Sequence, residues 1–229
     1  LLLIVPEQAT FQMEQALADT PGLGGWMRAQ VLSFRRLAYR VMQETGGCAV
    51  VAIGENGKAM LVRRALVAHR DRLRLFRGDT PGLAGKLNEL LTEWKRYGVS
   101  PRQLETTAEA FAAQERSGDA VLADKLRDLA LVYGETECQL AGRWQDGEDM
   151  LGRLAAGIPH SAALDGAEVW LDGFHGFTPN EYAVIEALLK RCARVTVSLC
   201  LDRPYGAGEA PDELELFHRT ADTSRTLCE

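Results

Sequence analysis

The chain has 229 residues, of which 46% are hydrophobic and 25% charged, and its net charge at pH 7 is −6. This is the composition of an ordinary globular protein, and it excludes an intrinsically disordered chain. No apolar run approaches the ~20 residues that a membrane-spanning helix needs, and no signal peptide is present. A free-standing, nonspecific DNA-binding domain is usually basic, so any nucleic-acid contact of this chain is expected to be local.

Two strand–helix pairs are predicted at the start of the chain. The first strand is a continuous apolar run ended by Pro6, which suits a parallel strand covered on both faces. The second helix has a good N-cap in Ser33 and a glycine C-cap in Gly46–Gly47. In chain order, we predict strand 1–5, helix 8–18, strand 29–32 and the helix that follows Ser33.

From about Lys58 the apolar residues recur at alternating spacings of three and four, which predicts one helix after another. The three clearest stripes are Ala59–Val62–Leu66–His69–Leu73–Phe76, Leu83–Leu87–Leu90–Trp94 and Leu122–Leu126–Leu129–Tyr133–Leu140. The acidic residues of this region are expected on solvated helix faces, namely Glu105, Glu109, Glu115, Asp146, Glu148 and Asp149.

Strands and helices alternate again from about Ala167. A short strand over 169–171 ends at Asp172, and another spans 194–201. Between them Thr178, an N-cap followed by Pro179, predicts a helix that ends near residue 191.

The order of these elements predicts an α/β fold in which one parallel sheet is interrupted by an all-helical inserted subdomain. We assign residues 1–51 and 164–229 to the sheet domain and residues 52–163 to the insert. Both ends of the sequence are expected to be cuts in a longer protein, because the chain begins without Met inside a predicted core strand and stops in a predicted helix start at 222–229.

Three predicted strand ends carry polar residues, and ligands of open α/β sheets bind at the carboxyl ends of strands. An apolar strand ending in Asp has the local form of a Walker B segment, in which the next residue is usually a Glu that positions the attacking water. Here Asp172 is followed by Gly173, which has no carboxylate, and a plain turn after a strand is the alternative interpretation. The three segments are Pro6–Thr10, Ser33–Arg36 and Asp172–Phe177.

No other catalytic or metal-binding pattern is found. The chain has no Gly-x-x-x-x-Gly-Lys-Ser/Thr loop, so any phosphate-binding loop is expected before Leu1. No Ser-His-Asp set can be assembled, and the histidines form no cluster with ligand spacing. The five cysteines are odd in number and never form a Cys-x-x-Cys pair, which is typical of reduced thiols. We therefore predict no catalytic residue, metal or cofactor in this chain.

Arginines cluster around the second strand and its helix, with Phe34 and Tyr39 among them. Arginines that neutralise phosphates and aromatic rings that stack on bases are what a platform for single-stranded nucleic acid needs. A solvated helix face is the alternative interpretation. The arginines are Arg28, Arg35, Arg36 and Arg40.

Three segments closely resemble the N-terminal region of AddB, the B subunit of the bacterial AddAB ATP-dependent helicase/deoxyribonuclease, and a looser resemblance covers the rest of the chain. The resemblance implies the P-loop-NTPase-like first domain (1A) of a superfamily 1 helicase, with the insert in the place of subdomain 1B. Motif II would lie at Asp172 without its Glu, and motif III at 195–202 without its Gln. The three segments are Val5–Glu14, Arg28–Arg40 and Leu171–Tyr182.

The resemblance further implies a non-motor, DNA-binding module that scans single-stranded DNA for a recombination hotspot during the repair of double-strand breaks by homologous recombination. Asp172–Gly173 would be a degenerate Walker B segment. The expected single-strand contacts are Gln8, Thr10, Phe34, Arg35, Arg36, Tyr39, Phe174 and Phe177.

For the full-length protein, the resemblance implies a helicase and exonuclease that uses ATP, Mg²⁺ and an iron–sulfur cluster located outside this chain. Its partners would be DNA ends and an AddA-type motor subunit, and its place of action the bacterial cytoplasm at the nucleoid, with no membrane. This segment alone is not expected to be catalytic. Two alternatives stay open: a working ATPase whose phosphate loop lies upstream, and a scaffold whose helical insert docks the partner subunit.

Overall fold

The computed structural model describes residues 1–229 except 23, 24, 27, 47–50, 79, 114–118, 148, 206–208, 210 and 229, and the side chains of 51, 52 and 145 are also left undescribed. No helix in this described part is long and apolar enough to cross a membrane. In chain order the elements are β1 (Leu2–Ile4), a 3-10 turn (Glu7–Ala9), α1 (Thr10–Ala18), β2 (Gln30–Leu32), α2 (Phe34–Thr45), β3 (Val51–Ala52), α3 (Glu55–Ala68), α4 (Leu83–Arg96), α5 (Pro101–Ala113), α6 (Asp119–Leu140), β4 (Trp144–Gln145), α7 (Asp149–Gly157), 3-10 turns at Ile158–His160 and Ala162–Leu164, β5 (Glu168–Leu171), α8 (Pro179–Arg191), β6 (Arg194–Val197) and α9 (His218–Cys228).

The chain divides into two units. The first unit consists of Leu1–Cys48 and Leu151–Glu229, and the second of Ala49–Met150. The sequence predicted the divisions at 51/52 and 163/164 instead. Residues 151–163 contribute to the interior of the first unit, where Leu154 and Ile158 are fully buried.

The first unit is built on a four-stranded sheet, in the order β2-β1-β5-β6, whose described pairings are all parallel. The two middle strands come from opposite sides of the inserted residues, and they pair with Leu2 opposite Val169. This confirms the predicted parallel sheet that a long insertion interrupts.

The two faces of this sheet differ in how well the described residues cover them. Paired residues of neighbouring strands share a face. Ile4 and Leu171 are paired and almost completely buried, whereas the next pair back, Leu3 and Trp170, lies on the opposite face. There Trp170 keeps 37% of its surface exposed, and the guanidinium carbon of Arg194 lies 5.9 Å from its ring centroid. The expected cover on both faces of the first strand is therefore only partial within the described part of the chain.

The helix ends follow their predicted caps. The Ser33 hydroxyl accepts a hydrogen bond from the backbone N–H of Arg36 at 3.2 Å, and Gly46, at φ +92°, ends α2. Gly47, the second predicted cap residue, lies outside the described residues. Thr178 and Glu181 form a capping box at the start of α8, whose bounds match the prediction.

The last strand is shorter than predicted. β6 ends at Val197, although the apolar pattern predicted a strand as far as Leu201. The ladder stops because β5 ends at Leu171, whose carbonyl accepts the last bond, from the Ser198 N–H at 2.9 Å. Within the described part of the chain, no strand pairs with the residues of this segment beyond that point.

The second unit is mainly helical, but the prediction of an all-helical insert is wrong in one detail. β3 and β4 form a two-stranded parallel ladder, with Val51 opposite Trp144. Strands of two residues are too short to produce an alternating pattern in the sequence. The buried core of this unit is formed by Val62, Ala65, Leu73, Leu87, Leu91, Leu104, Leu129, Ala130, Val132 and Tyr133.

The first helix of the insert ends eight residues earlier than its apolar stripe. α3 stops at Ala68, yet Leu73 is completely buried in a non-helical segment. The segment is held by the buried carboxylate of Asp128 on α6, which accepts the backbone N–H groups of residues 74, 75 and 76 at 2.7–3.2 Å. A buried carboxylate therefore replaces the helical hydrogen bonds that these amides would otherwise make.

Asp146 is buried, contrary to the prediction that it lies on a solvated face. Only 3% of its surface is exposed, and its carboxylate pairs with Lys58 and Lys95, each at 3.3 Å. Burial opposes the charge of Lys58, but its hydrogen bond to Glu55 and the charge of Asp146 outweigh it, so its pKa is raised. Glu115 and Glu148, two other predicted surface residues, lie outside the described residues.

A change of Asp128→Asn is expected to loosen the segment that follows α3. The amide group would present N–H donors to backbone donors, leaving at least one of them unsatisfied, at a cost of about 1–3 kcal/mol in the free energy of unfolding. Hydrogen exchange at residues 74–76 would then become faster. Glu109→Gln, at an exposed position on α5, is the control and should change neither quantity. Unaltered exchange in Asp128→Asn would contradict this role.

The stabilising hydrogen bonds of Glu44 are expected to be lost in acid, so that the first unit becomes less stable as the pH falls. The hydroxyl of Ser161 and the N–H groups of Ala162 and Ala163 donate to its carboxylate, and the pKa of Glu44 is lowered, mainly by the Ser161 bond. A lowered pKa in the folded state means that this stabilisation is complete above the ordinary value of 4.5 and is lost as the pH falls below it. Denaturant unfolding at neutral and acidic pH should therefore show a smaller acid-dependent loss in Glu44→Gln than in the unchanged protein; equal losses would contradict it.

Candidate functional site

The three polar segments predicted after strand ends meet at one edge of the sheet. Ile4 is paired with both Leu32 and Leu171, so β1, β2 and β5 end at the same level. Two further bonds continue the ladder, from Val5 N–H to the Leu32 carbonyl at 2.9 Å and from Asp172 N–H to the Ile4 carbonyl at 3.0 Å. We call the segments that follow, Pro6–Thr10, Ser33–Arg36 and Asp172–Thr178, the strand-end surface.

Glu7 links the first two segments of this surface. The hydroxyl of Ser33 donates to the Glu7 carboxylate while it accepts the N–H of Arg36. The first helical turn of α2 is thereby tied to the end of β1. Sequence reasoning assigned Ser33 its capping role but gave Glu7 none, because only the parallel register shows that the two residues lie at the same level.

Aromatic rings join the second and third segments. The ring of Phe34 lies 5.5 Å from that of Phe174 and 6.4 Å from that of Phe177, measured between centroids. Phe177 continues the cluster to Tyr182 on α8, at 5.6 Å. Such spacings are those of attractive aromatic pairs. Phe34 is only 6% exposed, so in this conformation its ring offers little surface to a base.

The other predicted contact residues differ in their accessibility. Gln8, Arg35 and Arg36 are exposed, and Tyr39 keeps 41% of its surface exposed with the guanidinium carbon of Arg35 5.9 Å from its ring centroid. Thr10 is buried, and its hydroxyl donates to the Glu7 carbonyl at 3.0 Å. The accessible polar groups are thus concentrated on the first two turns of α2 and the turn before α1.

Arg36 also has an acidic neighbour. One of its terminal nitrogens lies 3.3 Å from a carboxylate oxygen of Glu14 on α1, and both side chains are about half exposed. An exposed pair of this kind contributes little to stability, so a phosphate can replace Glu14 at small cost.

The absence of a carboxylate after Asp172 is accompanied by an unusual backbone. Gly173 has φ +80°, in the left-handed region, and a Cβ added there would lie 3.4 Å from Cδ of Pro6. A side chain at this position would strain the turn. The next part of the loop is held by α9, whose Thr223 hydroxyl donates to the His175 carbonyl at 3.3 Å.

Among the described residues, no three His, Cys, Asp or Glu side chains are grouped as metal ligands. The residue that follows Asp172 carries no carboxylate. The chain also lacks a phosphate-binding loop of the Gly-x-x-x-x-Gly-Lys-Ser/Thr type.

Gly173→Ala is expected to lower the free energy of unfolding by roughly 1–2 kcal/mol, because an L-residue is strained in the left-handed conformation. Gly152→Ala provides the matched control. Gly152 lies exposed in α7 with no atom within 4 Å of an added Cβ, so alanine should stabilise the helix by up to about 1 kcal/mol. Denaturant unfolding of the two variants should give changes of opposite sign; a neutral Gly173→Ala would show that the turn relaxes freely.

Comparisons with known proteins agree on one family. The family model described as "ADDB, N-terminal" matches residues 1–229. Several similar proteins are named as the B subunit of an ATP-dependent helicase/deoxyribonuclease. The relative in Geobacillus kaustophilus is 48% identical over 100% of this chain and 20% of its own length. The relative in Heliobacterium modesticaldum is 50% identical over 99% of this chain and 18% of its own length. The relative of the same name in Desulforudis audaxviator is 50% identical over 100% of this chain and 19% of its own length.

The chain thus spans about a fifth of the length of the curated relatives it matches. The resemblance to AddB, stated above for three segments, is confirmed, and the match extends over the whole chain, insert included. The match of the family model to all 229 residues shows that the chain belongs to the AddB N-terminal family.

Proposed function

We propose that this chain is the helicase-like, non-motor module of an AddB-type subunit, and that it binds and scans single-stranded DNA during the processing of double-strand breaks. The observation that carries the proposal is the strand-end surface, where three parallel strands end at one level beside the exposed Arg35, Arg36 and Tyr39. Arginines can neutralise phosphates there, and the tyrosine can stack on a base. Recognition of a recombination hotspot by this surface is part of the proposal.

The aromatic cluster has a supporting role in this proposal. Phe34, Phe174 and Phe177 hold the third loop against the start of α2, so they fix the position of the arginines that follow Phe34. Phe174 and Phe177 are partly exposed and remain candidates for direct contact. Gln8 is placed to donate to a base edge or a phosphate, and Thr10 acts through the turn that it stabilises.

The fold that we propose for this chain is that of a superfamily 1 helicase domain 1A, with a 1B-like insert. Two observations support it: the parallel sheet with its long insertion, and the partly open sheet face around Trp170. Parallel sheets are normally covered on both faces, so further elements of the full-length protein would cover this one.

The non-motor assignment rests on Asp172–Gly173. A motor needs a carboxylate that positions the attacking water, and the residue after Asp172 is a glycine in a conformation that disfavours any side chain. ATP hydrolysis would then belong to an AddA-type partner subunit, and nuclease activity to parts of the protein outside this chain. We propose the bacterial nucleoid as the place of action.

Arg35→Ala/Arg36→Ala in the full-length subunit with its partner is expected to weaken binding of single-stranded DNA by on the order of tenfold at moderate salt. The slope of log affinity against log salt should become shallower by about 1.4, since each lost phosphate contact on a single strand contributes about 0.7. Lys190→Ala/Arg194→Ala is the matched control, because it removes two exposed charges of the same unit, at the end of α8 and the start of β6, outside the strand-end surface.

Two results would contradict the proposal. One is equal affinity, slope and response to DNA sequence in the strand-end and control variants. The other is DNA-stimulated ATP hydrolysis by this subunit alone that Asp172→Ala abolishes, which would make it a working ATPase.

A further inference from the structure

The second unit contains a strongly basic segment. Residues 63–77 hold six arginines, Arg63, Arg64, Arg70, Arg72, Arg74 and Arg77, against the single acid Asp71. The chain as a whole carries a net charge of −6, so this concentration of positive charge is local. The six arginines are visible in the sequence, but the apolar residues between them predicted only a helix that packs in a core.

Three of these arginines line an open groove of about 430 Å³ between the end of α3 and the start of α4. Arg63, Arg70 and Arg77 supply its positive charge, and none of the other described lining residues is acidic. Asp79, which is close in sequence, lies outside the described residues. The apolar side chains of its lining include Leu66, Val67, Phe76 and Pro81.

The groove is held in shape by contacts on its far side. The buried Asp128 carboxylate fixes the backbone of residues 74–76, which carries Phe76 into the groove. Arg77 donates its Nε–H to the Leu73 carbonyl, which anchors the guanidinium near its base. Arg74 pairs with Asp124 and does not line the groove. The uncapped first turn of α4 adds its backbone N–H groups to the positive side.

We infer that this groove binds the phosphodiester backbone of DNA, independently of base sequence. Guanidinium groups suit phosphate oxygens, and apolar side chains in the same lining suit the sugars of a polymer that runs through an open channel. A small phosphorylated metabolite would favour an enclosed pocket that buries most of its surface. The identification of the polyanion as DNA rests on the proposed function; the groove itself is separate from the strand-end surface and lies in the other unit.

The test compares two double variants in the full-length subunit with its partner. Arg63→Gln/Arg70→Gln removes two charges from the groove. Arg102→Gln/Arg143→Gln removes two charges from exposed positions of the same unit that do not line the groove. Arg63→Lys/Arg70→Lys keeps the charges and reports on folding. The probes are a blunt DNA duplex, a single strand of the same length and poly-glutamate, each titrated over a range of salt concentrations.

The groove variant is expected to bind DNA about tenfold more weakly than the control variant. Its salt slope should be shallower by about 1.8 if the groove holds duplex and by about 1.4 if it holds a single strand, at 0.9 or 0.7 for each lost contact. The lysine variant should keep the slope of the unchanged protein. A change on the duplex alone or on the single strand alone therefore identifies the form of DNA that the groove holds.

Salt slopes that are equal in the groove and control variants would overturn the inference. So would a groove variant that loses only poly-glutamate binding or the partner subunit, because the groove would then bind an acidic protein surface. The outcome is separable from that of the proposed function. If DNA binding is unchanged in Arg35→Ala/Arg36→Ala but weakened in the groove variant, the proposed function is wrong and the inference about the groove is supported. The reverse result contradicts only the inference about the groove.

Discussion

The pairing of β1 with β5 is the constraint on which the rest of this structure depends. It joins Leu2 to Val169 and so closes a loop that contains the whole of the second unit. The entropy of closing a loop grows only slowly with its length, so a unit of this size can be inserted at modest cost. The same register brings the ends of β1 and β5 level with that of β2 and thereby assembles the strand-end surface. Without this one ladder, Asp172 would be separated from Pro6 and Ser33, which the pairing of β1 with β2 joins.

Much of the local structure could be predicted because its causes are local. Ser33 and Thr178 cap the helices that follow them, and the bounds of α8 follow from Pro179 and its capping box. What could not be predicted depends on residues distant in sequence. β6 stops at Val197 because β5 has already ended. Residues 74–76 are not helical, although their apolar pattern predicted a helix, because Asp128 on another helix accepts their amides. Similarly, nothing near Asp146 in the sequence shows that two lysines will bury it.

The candidate site shows the same division. The three segments could be chosen from sequence, since each follows an apolar strand, and their side chains have the chemistry of a nucleic-acid platform. Their accessibility could not be inferred, because the rings of Phe34, Phe174 and Phe177 pack against each other. This packing buries Phe34 almost completely and Phe174 and Phe177 only in part, whereas Gln8, Arg35 and Arg36 are exposed. An aromatic residue next to arginines can thus either contact a ligand directly or pack beneath the residues that do. Only the folded structure distinguishes these two roles.

The buried pairing of Asp146 with Lys58 links two positions that are 88 residues apart in sequence. Asp146 also pairs with Lys95, and Lys58 with Glu55, so removing either member leaves the other with one ion-pair partner fewer in a buried environment. Replacing both members of a buried pair by well-packed apolar residues is often neutral. Single substitutions at either position are therefore expected to be more destabilising than a paired substitution. Among relatives of this chain, residues 58 and 146 are expected to vary as a correlated pair. Such covariation among related sequences would indicate the contact, which no local pattern in this sequence reveals.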